Sequence, residues 1–375
     1  MDFAVRREQL QQAMLQNNLD GLVYGLGANL QYFSGLSFEW SREHEPEEPQ
    51  CLLVLARGEK PRVVVAWDSP VRPNDSDLEF LVVRSLGELL TLLAKWLGTG
   101  KHFGTSRTAE SFLTSIITSA IPEAQCVNAE WLGEEIRLVK SAEEITRLRE
   151  VAVLTDKVMG EIVGYIKPGV TQLELQQKLA EAGSRLGVQA VSFPPAALYV
   201  KSGCEPLENP FVYPQEEGLV AGTSIAFDFG FVLNGYCSDF GRSFYCGTPP
   251  EHISGAYHAL QEAHCHLISN MKPGLRIAEM YRILITKLDE LGYGDRLRAR
   301  LPDGTLGHQI GVDLHENPWI RPTSEGVLKA GMVMCIEPKV WLPGEYYLRV
   351  EDMVLITESG AESLTKFDRQ LFELG

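Results

Sequence analysis

The first 130 residues alternate between short apolar runs and amphipathic stretches, the patterns typical of strands and helices respectively. We predict a helix at residues 4–18, strands at Gly21–Tyr24, Cys51–Ala56, Arg62–Trp67 and Phe80–Val83, and a helix at Leu86–Leu97. The charged stretch Ser41–Pro49 is expected to be either a solvated loop or a mobile lid. This alternation favours a small α/β domain that ends near residue 130.

The region after residue 130 begins with a long amphipathic helical pattern over 131–164. Within it, Ser141 and Glu144 have the spacing of a capping box, in which each side chain bonds the backbone N–H of the other residue. A chain of 375 residues is long enough for two domains. We therefore predict domains at 1–130 and 131–375, with the helical region between them.

The second domain contains a faint internal repeat. The segment IKPGVTQLEL at 166–175 recurs as MKPGLRIAEM at 271–280, and the Leu-Gly pair at 186–187 recurs at 291–292 with the same offset of 105 residues. Each copy has a helix end, a Lys-Pro-Gly turn, a second helix and then strand-like segments. The repeat predicts a duplicated half-domain. For the whole chain we expect an α+β fold class.

The stretch Ile225–Phe244 predicts a hairpin that carries two carboxylates. Its two strands are joined by Asn-Gly at 234–235, the dipeptide best suited to a type I′ turn. With this turn, Asp239 lies opposite Gly230 and is the diagonal neighbour of Asp228, roughly 7–8 Å away. Two carboxylates this close raise each other's pKa unless a cation lies between them, so the hairpin suggests a metal site.

A second predicted hairpin is built in the same way. Its strands, Met332–Val340 and Tyr347–Ile356, flank a short turn at 342–345. Each strand has one acidic residue within an apolar sequence, Glu337 in the first and Glu351 in the second. A loop centred between the strands places these two residues directly opposite each other. Burying such charges is costly without a partner, which again favours a bound cation.

The Gly-rich segment at 307–318 adds His308 and His315 to these four carboxylates. Cys335 lies two residues before Glu337 on the same strand face, so it either lines the site or serves in packing. An oxygen-rich ligand set favours Mn²⁺ or a similar ion over a thiolate-type zinc site.

Bridging carboxylates suggest two ions roughly 3.5–4 Å apart, which hold a hydroxide between them and polarise a carbonyl. The predicted reaction class is therefore metal-assisted hydrolysis of an amide or a related bond.

Composition narrows the partners and the compartment. The net charge of −16 disfavours nucleic acid and anionic membranes, because both require a basic surface. Seven scattered cysteines without CxxC spacing fit a reducing compartment. The N-terminus has no apolar segment typical of a secretory signal, and Gly21–Phe38 favours strand and loop over a membrane span. We therefore expect a cytoplasmic protein without a membrane partner.

The combined motifs resemble the pita-bread metallopeptidases, which include prolidase, Xaa-Pro aminopeptidase, methionine aminopeptidase and creatinase. The resemblance covers essentially the whole chain. The matching segments are NLQYFSGL at 29–36, EIRLVKSAEEITRLREVA at 135–152, DFG at 228–230, SDFGRSF at 238–244, GHQIGVDLHENP at 307–318, GMVMCIEP at 331–338, LRVEDMVLIT at 348–357 and LTKFDRQLFEL at 364–374. It implies a creatinase-type N-terminal domain and a pita-bread catalytic domain with an internal pseudo-two-fold repeat.

The resemblance also implies a role for each predicted metal ligand. Asp228 matches the carboxylate that chelates one ion, and Asp239 and Glu351 match the ligands that bridge two ions. His308 and Glu337 match ligands of the other ion. The implied cofactors are two divalent ions, Mn²⁺ first, with Co²⁺ or Zn²⁺ as alternatives.

Three catalytic roles follow from the same resemblance. Glu337 matches the acid/base that transfers the water's proton, and His315 matches the histidine that steadies the substrate carbonyl. Arg349 matches an arginine beside the bridging Glu351. Relatives with this two-domain organisation are usually homodimers in which the partner's N-terminal domain helps close the active site.

One position departs from the family pattern. The peptidase branch generally has a further histidine about seventeen residues before the first Asp, where it contacts substrate near the scissile bond. Here that position is Phe211, and no histidine lies between His102 and His252. A phenylalanine side chain cannot donate a hydrogen bond to a leaving group. Either the peptidase loop has shifted, or the substrate has changed.

Three functional hypotheses are consistent with these residues. The first is an Xaa-Pro aminopeptidase or prolidase-like peptidase that cleaves the amide bond before proline with a metal-bridging hydroxide. The second is a metal-dependent enzyme on a small non-peptide substrate such as a cyclic amide, suggested by Phe211. The third is a peptide-binding module on the same fold. It is disfavoured because such modules lose the metal ligands, and all five are present here.

Overall fold

The computed structural model describes residues 2–36, 51–67, 78–107, 109–212, 214–302 and 304–374. The charged stretch Ser41–Pro49, predicted as a loop or lid, lies outside the described residues. The chain divides into two compact units, Met1–Leu138 and Val139–Gly375. No helix among the described ranges is long and apolar enough to cross a membrane.

The first unit consists of a sheet of parallel and antiparallel strands with helices, as predicted for a small α/β domain. Its elements are α1 (Phe3–Gln16), β1 (Gly21–Tyr24), α2 (Ala28–Ser34), β2 (Cys51–Ala56), β3 (Arg62–Ala66), β4 (Glu79–Val83), α3 (Leu86–Leu97), β5 (His102–Thr105), α4 (Glu110–Ala120), β6 (Gln125–Asn128) and α5 (Glu130–Arg137). The strand order is β4-β3-β2-β1-β5-β6. Apolar side chains from α3 and α4 pack on this sheet and form its core.

The region predicted as one helical stretch over 131–164 is two helices. The first, α5, belongs to the first unit, where the Asn29 side chain donates to the Glu130 carbonyl (3.0 Å) and contacts Arg137. The second, α6, begins after Ser141, and the predicted capping box with Glu144 is present. The first unit accordingly ends at Leu138, whereas the sequence suggested a boundary at residue 130.

The described residues of the second unit form two helical pairs and four sheets. Its helices are α6 (Ala142–Ile162), α7 (Gln172–Arg185), α8 (Glu251–Asn270) and α9 (Ile277–Glu290). Its strands are β7 (Ala190–Val191), β8 (Ala196–Lys201), β9 (Thr223–Phe229), β10 (Phe231–Leu233), β11 (Tyr236–Cys237), β12 (Phe240–Cys246), β13 (Gly307–Gln309), β14 (Glu316–Trp319), β15 (Val333–Ile336), β16 (Lys339–Leu342), β17 (Tyr346–Arg349), β18 (Asp352–Ile356), β19 (Ala361–Ser363) and β20 (Phe372–Leu374).

The predicted repeat is present in these elements. Helices α6 and α7 are joined through Gly169 (φ 92°), and α8 and α9 through Gly274 (φ 88°). Both glycines are left-handed, a conformation that side chains disfavour. The Gly169 N–H donates to Leu219 O (2.8 Å), and the Gly274 N–H donates to Leu328 O (2.9 Å), so the turns are held in the same way. The two half-domains therefore share their helical hairpin and its attachment to the following chain.

Two sheets contribute to the candidate site, one built mainly from strands of the first half with β20 from the C-terminal end, and one built from strands of the second half. The order is β20-β12-β9-β8 in the first and β14-β13-β15-β18-β19 in the second, with a separate β16-β17 ladder. Helices α6 and α7 pack on β8, β9 and β12 through a core that includes Leu179, Phe227 and Phe244. Because the helices cover the outer faces, the polar residues of these strands are left to meet inside the unit.

Candidate metal centre and active site

The first hairpin has the predicted register. Gly241 pairs with Asp228, and the turn residues Asn234 (φ 51°) and Gly235 (φ 76°) both have the positive φ of a type I′ turn. Asp239 precedes β12 and is only 4% exposed. The alternation of side chains along these short strands is thus what directs two acidic residues inward from an apolar ribbon.

The second hairpin also has the predicted register. The β15/β18 and β16/β17 ladders are both centred on Gly344, with Lys339 opposite Arg349 in the outer ladder. Glu337 and Glu351 lie between the two ladders at the same register, so they face each other. Glu351 is fully buried and Glu337 is 7% exposed.

Backbone and side-chain bonds join the two hairpins directly. The Glu351 N–H donates to Gly241 O at 2.9 Å. The Ser243 hydroxyl donates to Arg349 O (3.0 Å) and accepts from the Arg349 N–H (2.9 Å). Because both hairpins share these bonds, the carboxylates of one are held in fixed register with those of the other.

His308 completes the arrangement from β13, where it pairs with Cys335 of β15. Its Nδ1 lies 3.0 Å from Gln309 O, so the Nδ1–H donates to this carbonyl and Nε2 is turned inward. Nε2 lies 3.4 Å from Asp239 Oδ2 and 3.9 Å from Glu337 Oε1. Burial acts to lower the pKa of His308, but these carboxylates outweigh it and raise the pKa to about 9.

One donor atom from each of four buried residues converges in a single cluster. The atoms belong to Asp239, His308, Cys335 and Glu351 and lie within 4.8 Å of one another. Two buried atoms of these residues, His308 Nε2 and Glu351 Oε1, have no hydrogen-bond partner among the described residues. Unpaired buried polar atoms are costly, and a cation between them removes the cost. The donor set therefore fits a bound metal ion.

The other two predicted ligands lie against cations. Arg349 contacts the carboxylates of Asp228, Glu337 (3.1 Å) and Glu351. The Lys339 ammonium contacts Glu337 as well. Asp228 and Glu337 are thus near the cluster but already neutralised, and the structure brings all five predicted ligands together around Arg349 and His308.

Burial and these cations affect the two glutamates in opposite directions. Burial raises the pKa of Glu351 to about 8, and Asp239 and Glu337 add to the effect. Burial also acts to raise the pKa of Glu337, but Lys339 and His308 outweigh it, so the pKa is lowered. Glu337 therefore stays ionised, whereas Glu351 holds its charge poorly despite its contact with Arg349.

His315 lies at the exposed edge of the cluster. Its ring is 4.5 Å from the His308 ring, edge to face, and 5.2 Å from the Trp319 ring. Its loop is anchored by Glu316, which forms a buried ion pair with Lys140 at 2.8 Å. Partial burial and the charge of His308 lower the pKa of His315, so its imidazole is neutral near pH 7.

A buried charged network lies directly behind Glu351. The Asp352 carboxylate accepts from Arg242 (2.8 Å), Arg369 (2.5 Å) and the Thr365 hydroxyl (2.7 Å), and lies 3.6 Å from His264 Nε2. Arg242 also donates to the Glu351 carbonyl at 2.6 Å. This network fixes the backbone that presents Glu351 to the cluster.

Phe211 does not lie among the donor atoms. It sits on the short 3₁₀ turn Pro210–Val212, is 50% exposed, and packs edge to face on Tyr347 with ring centroids 6.3 Å apart. Tyr347 lies two residues from Arg349 on β17 and also contacts Trp341 at 5.8 Å. The structure thus places Phe211 on an aromatic wall beside the second hairpin.

Sequence reasoning did not identify Lys339. Its signal was available, because Lys339 follows Glu337 by two residues and therefore shares its strand face. The reasoning did name Cys335 but left its role open, and the structure places its sulfur among the donor atoms.

Two family models match the chain. One described as Metallopeptidase family M24 matches residues 146–358, and one described as Creatinase/Prolidase N-terminal domain matches residues 6–139. Together they agree with the two parts of the chain expected from its motifs.

Individual relatives agree with these matches. An uncharacterized peptidase of Staphylococcus haemolyticus is 33% identical over 236 residues, which are 63% of this chain and 65% of that relative. The matched residues thus span slightly less than two thirds of the length of this relative. A dipeptidase from Pyrococcus horikoshii superposes with a TM-score of 0.85 at 25% identity, covering 98% of this chain and 100% of that one. A prolidase from Thermococcus sibiricus gives 0.86 at 23%, covering 100% of both.

Proposed function

Because the chain belongs to metallopeptidase family M24, we propose that it is a metal-dependent hydrolase that cleaves the amide bond before proline in small peptides. It would act as an Xaa-Pro aminopeptidase or a prolidase-like dipeptidase. The observation that carries the proposal is the convergence of Asp239, His308 and Glu351 in one buried donor cluster. The shared fold of a prolidase and a dipeptidase supports the substrate class.

The proposed cofactors are two divalent ions held by five residues, Asp228, Asp239, His308, Glu337 and Glu351. Carboxylate donors predominate in this set, which favours Mn²⁺, with Co²⁺ or Zn²⁺ as alternatives. When bound, such ions polarise the scissile carbonyl and supply a nucleophile at neutral pH. Asp228 and Glu337 would exchange part of their contact with Arg349 for contact with the ions.

Glu337 is the proposed acid/base. Lys339 and Arg349 both donate to its Oε2, which leaves Oε1 on the side of His308. An ionised carboxylate in this position can accept a proton from the attacking water and return it to the leaving amine of proline. The two cations keep the carboxylate oriented between these transfers.

His315 is proposed to steady the substrate carbonyl. Its ring lies at the exposed edge of the cluster, where a substrate enters, and its loop is fixed by the Lys140–Glu316 pair. A hydrogen bond from this imidazole to the carbonyl oxygen becomes stronger as that oxygen gains charge in the transition state. Arg349 is proposed to hold the carboxylates of Glu337 and Glu351 in place through its contacts with both.

The exposed face of Phe211, which packs on the buried Tyr347 ring, is the proposed binding surface for the proline ring. Both rings are apolar on their faces, and Phe211 is half-exposed beside β17. A second candidate function rests on the same residue. Because Phe211 cannot donate a hydrogen bond, a small non-peptide amide without a peptide leaving group is the alternative substrate.

An activity screen tests both candidates. The protein would be purified without metal, loaded separately with Mn²⁺, Co²⁺ or Zn²⁺, and assayed on Xaa-Pro dipeptides, Xaa-Pro tripeptides and matched Xaa-Ala peptides. Cleavage of Xaa-Pro over Xaa-Ala supports the proposal, and the dipeptide-to-tripeptide ratio separates dipeptidase from aminopeptidase. Turnover of cyclic or other small amides alone would establish the alternative. Absence of turnover on every peptide with every ion contradicts the peptidase function.

We further propose that the protein is a cytoplasmic homodimer. All seven cysteines are free, which suits a reducing compartment. Sedimentation velocity of the purified chain tests the dimer, and a mass of one chain across the accessible concentration range would contradict it.

A further inference from the structure

Cys335 occupies an unusual position for a core cysteine. Its Sγ is one of the four donor atoms that lie within 4.8 Å of one another, together with atoms of Asp239, His308 and Glu351. The residue is fully buried, and its strand β15 is the central strand between β13 and β18. The sulfur therefore lies inside the carboxylate and imidazole set, on a fully buried side chain.

The backbone fixes the sulfur beside the imidazole. Cys335 is the ladder partner of His308 on one side and of Met353 on the other. Residues directly opposite in adjacent strands have their Cβ atoms about 4.5–5.5 Å apart. The thiol and the unpaired His308 Nε2 thus project into the same small volume.

Simple packing does not explain this environment. A cysteine that only fills space normally lies among apolar side chains, but here its neighbours include two atoms that lack partners, His308 Nε2 and Glu351 Oε1. Both residues are at most 1% exposed. The cluster therefore indicates a bound cation, and the Cys335 thiol, whose sulfur lies within 4.8 Å of the other donor atoms, is placed to act as a further donor.

We propose that Cys335 is a sulfur donor to the metal ion that His308 holds, so that this ion has a mixed nitrogen, oxygen and sulfur ligand set. The inference rests on the proposed metal centre and adds a ligand to it. On binding, the thiol proton is released to solvent and the thiolate forms the bond to the cation.

A sulfur ligand changes the metal preference at this position. Thiolate is a soft donor that favours Zn²⁺ or Co²⁺ over Mn²⁺, whereas carboxylate and carbonyl donors suit Mn²⁺. The carboxylate-rich side that includes Asp228 would keep the oxygen preference. The two ion positions are then chemically unequal, and the position next to His308 is the more selective one.

Cobalt spectroscopy tests the ligand directly. Apo protein would be titrated with Co²⁺, alongside the variants Cys335→Ser and Cys335→Thr and the control Cys237→Ser. Cys237 is also buried, but its thiol lies 3.5 Å from Val312 O and is not among the clustered donors. We expect a near-ultraviolet thiolate-to-cobalt band in the wild type and in the control, and its loss in both Cys335 variants.

The outcomes separate the inference from the proposed function. Visible ligand-field bands without the thiolate band in the wild type would show that the centre binds metal without Cys335, which overturns the inference alone. Absence of any Co²⁺ binding would overturn the metal centre and the inference together. Retention of the thiolate band in Cys335→Ser would assign it to another cysteine and overturn the inference.

A measurement on the unmodified protein guards against a variant that fails to fold. X-ray absorption of the Zn²⁺-loaded wild type should include a sulfur scatterer at about 2.3 Å in addition to nitrogen and oxygen at about 2.0–2.2 Å. A spectrum fitted by nitrogen and oxygen alone contradicts the inference. In competition experiments the Zn²⁺-to-Mn²⁺ affinity ratio should fall at least about tenfold in Cys335→Ser and stay unchanged in Cys237→Ser.

Discussion

Lys339 and Arg349 lie directly opposite each other across the β16/β17 ladder, and both donate to the same carboxylate oxygen, Glu337 Oε2. Two cations on one oxygen stabilise its charge and fix its direction. They also place a permanent positive charge beside a proposed metal ligand. Removing one of these cations is therefore expected to increase metal affinity, although it also removes a contact of Glu337.

Replacing Lys339 should strengthen metal binding. A lysine ammonium this close to Glu337 repels an incoming divalent ion, so Lys339→Gln should bind Mn²⁺ or Zn²⁺ at least about tenfold more tightly by calorimetry. Turnover should fall in the same variant, because Glu337 loses one of its two orienting donors. The control Lys366→Gln removes an exposed lysine that lies 3.9 Å from Glu362. Equal or weaker metal affinity in Lys339→Gln would refute the prediction.

Alanine substitution of His308 and of His315 should lower activity for different reasons. His308→Ala removes a proposed ligand, so its bound metal, measured by elemental analysis after dialysis, should fall with its activity. His315→Ala should keep the metal and lose about 10²–10³-fold in kcat, because only a transition-state hydrogen bond is removed. A His315→Ala protein that loses metal as readily as His308→Ala would place His315 among the ligands instead.

Phe211 should affect substrate binding more than chemistry. Truncation to alanine removes half-exposed apolar surface, so Phe211→Ala should raise KM for Xaa-Pro substrates about five- to tenfold at nearly constant kcat. The neighbouring Val212 is 61% exposed, and Val212→Ala is the matched control. Phe211→His distinguishes the candidate functions. A large gain in peptidase activity in Phe211→His indicates that the native protein is a peptidase weakened by the absence of a histidine here. An unchanged rate indicates that the native substrate does not require a histidine at position 211.

The Lys140–Glu316 pair should matter for stability. Glu316→Gln removes the carboxylate charge that lies 2.8 Å from the buried Lys140 ammonium, so it should lower the free energy of unfolding by about 3–5 kcal/mol. The exposed pair of Glu279 and Arg282 is the comparison, and Glu279→Gln should cost less than about 1 kcal/mol. Urea denaturation checks both values. Similar losses in the two variants would mean that burial of the first pair does not determine its contribution.

His264 should make the fold sensitive to acid. Burial lowers its pKa to about 4, against the opposing effect of Asp352 and in the same direction as Arg369 and Arg242; its Nε2 also lies 3.2 Å from Ile336 O. In the unfolded chain the His264 imidazole takes up a proton near pH 6.5, whereas in the folded protein this imidazole stays neutral until the pH approaches 4. Stability is therefore complete above pH 6.5 and is lost as the pH falls towards 4, by about 2 kcal/mol at pH 5.

The comparison of His264→Gln with the exposed His266→Gln isolates this effect. The free energies of unfolding of wild type and variants would be measured from pH 7 to pH 5. Between pH 7 and pH 5, the decrease in the free energy of unfolding should be about 2 kcal/mol smaller in His264→Gln than in the wild type. The decrease in His266→Gln should equal that of the wild type. An unchanged slope in that variant would assign the acid sensitivity to other groups.

The strand registers were predictable because they depend on local rules. The Asn234-Gly235 turn and the two-residue side-chain period fix which residues oppose each other, and the structure confirms both hairpins. The internal repeat was predictable for a similar reason, since Gly169 and Gly274 are needed in a backbone conformation that few other residues adopt.

Contacts between distant segments were not predictable in the same way. No local rule specifies that Arg349 reaches Asp228 of the other hairpin, or that Cys335 faces His308 across a ladder formed by segments with different connections. The break between α5 and α6 was missed because both helices are amphipathic and only four residues separate them. These features depend on tertiary packing, which the pattern of one segment does not encode.

The bond from Glu351 N–H to Gly241 O joins the two copies of the repeat at the proposed metal site. The first copy supplies two aspartates and no imidazole; the second supplies His308 and both glutamates. During synthesis, the first half emerges from the ribosome without the donors needed to hold an ion tightly. A complete donor set at the proposed site therefore requires that the C-terminal strands have been made and docked onto the first half.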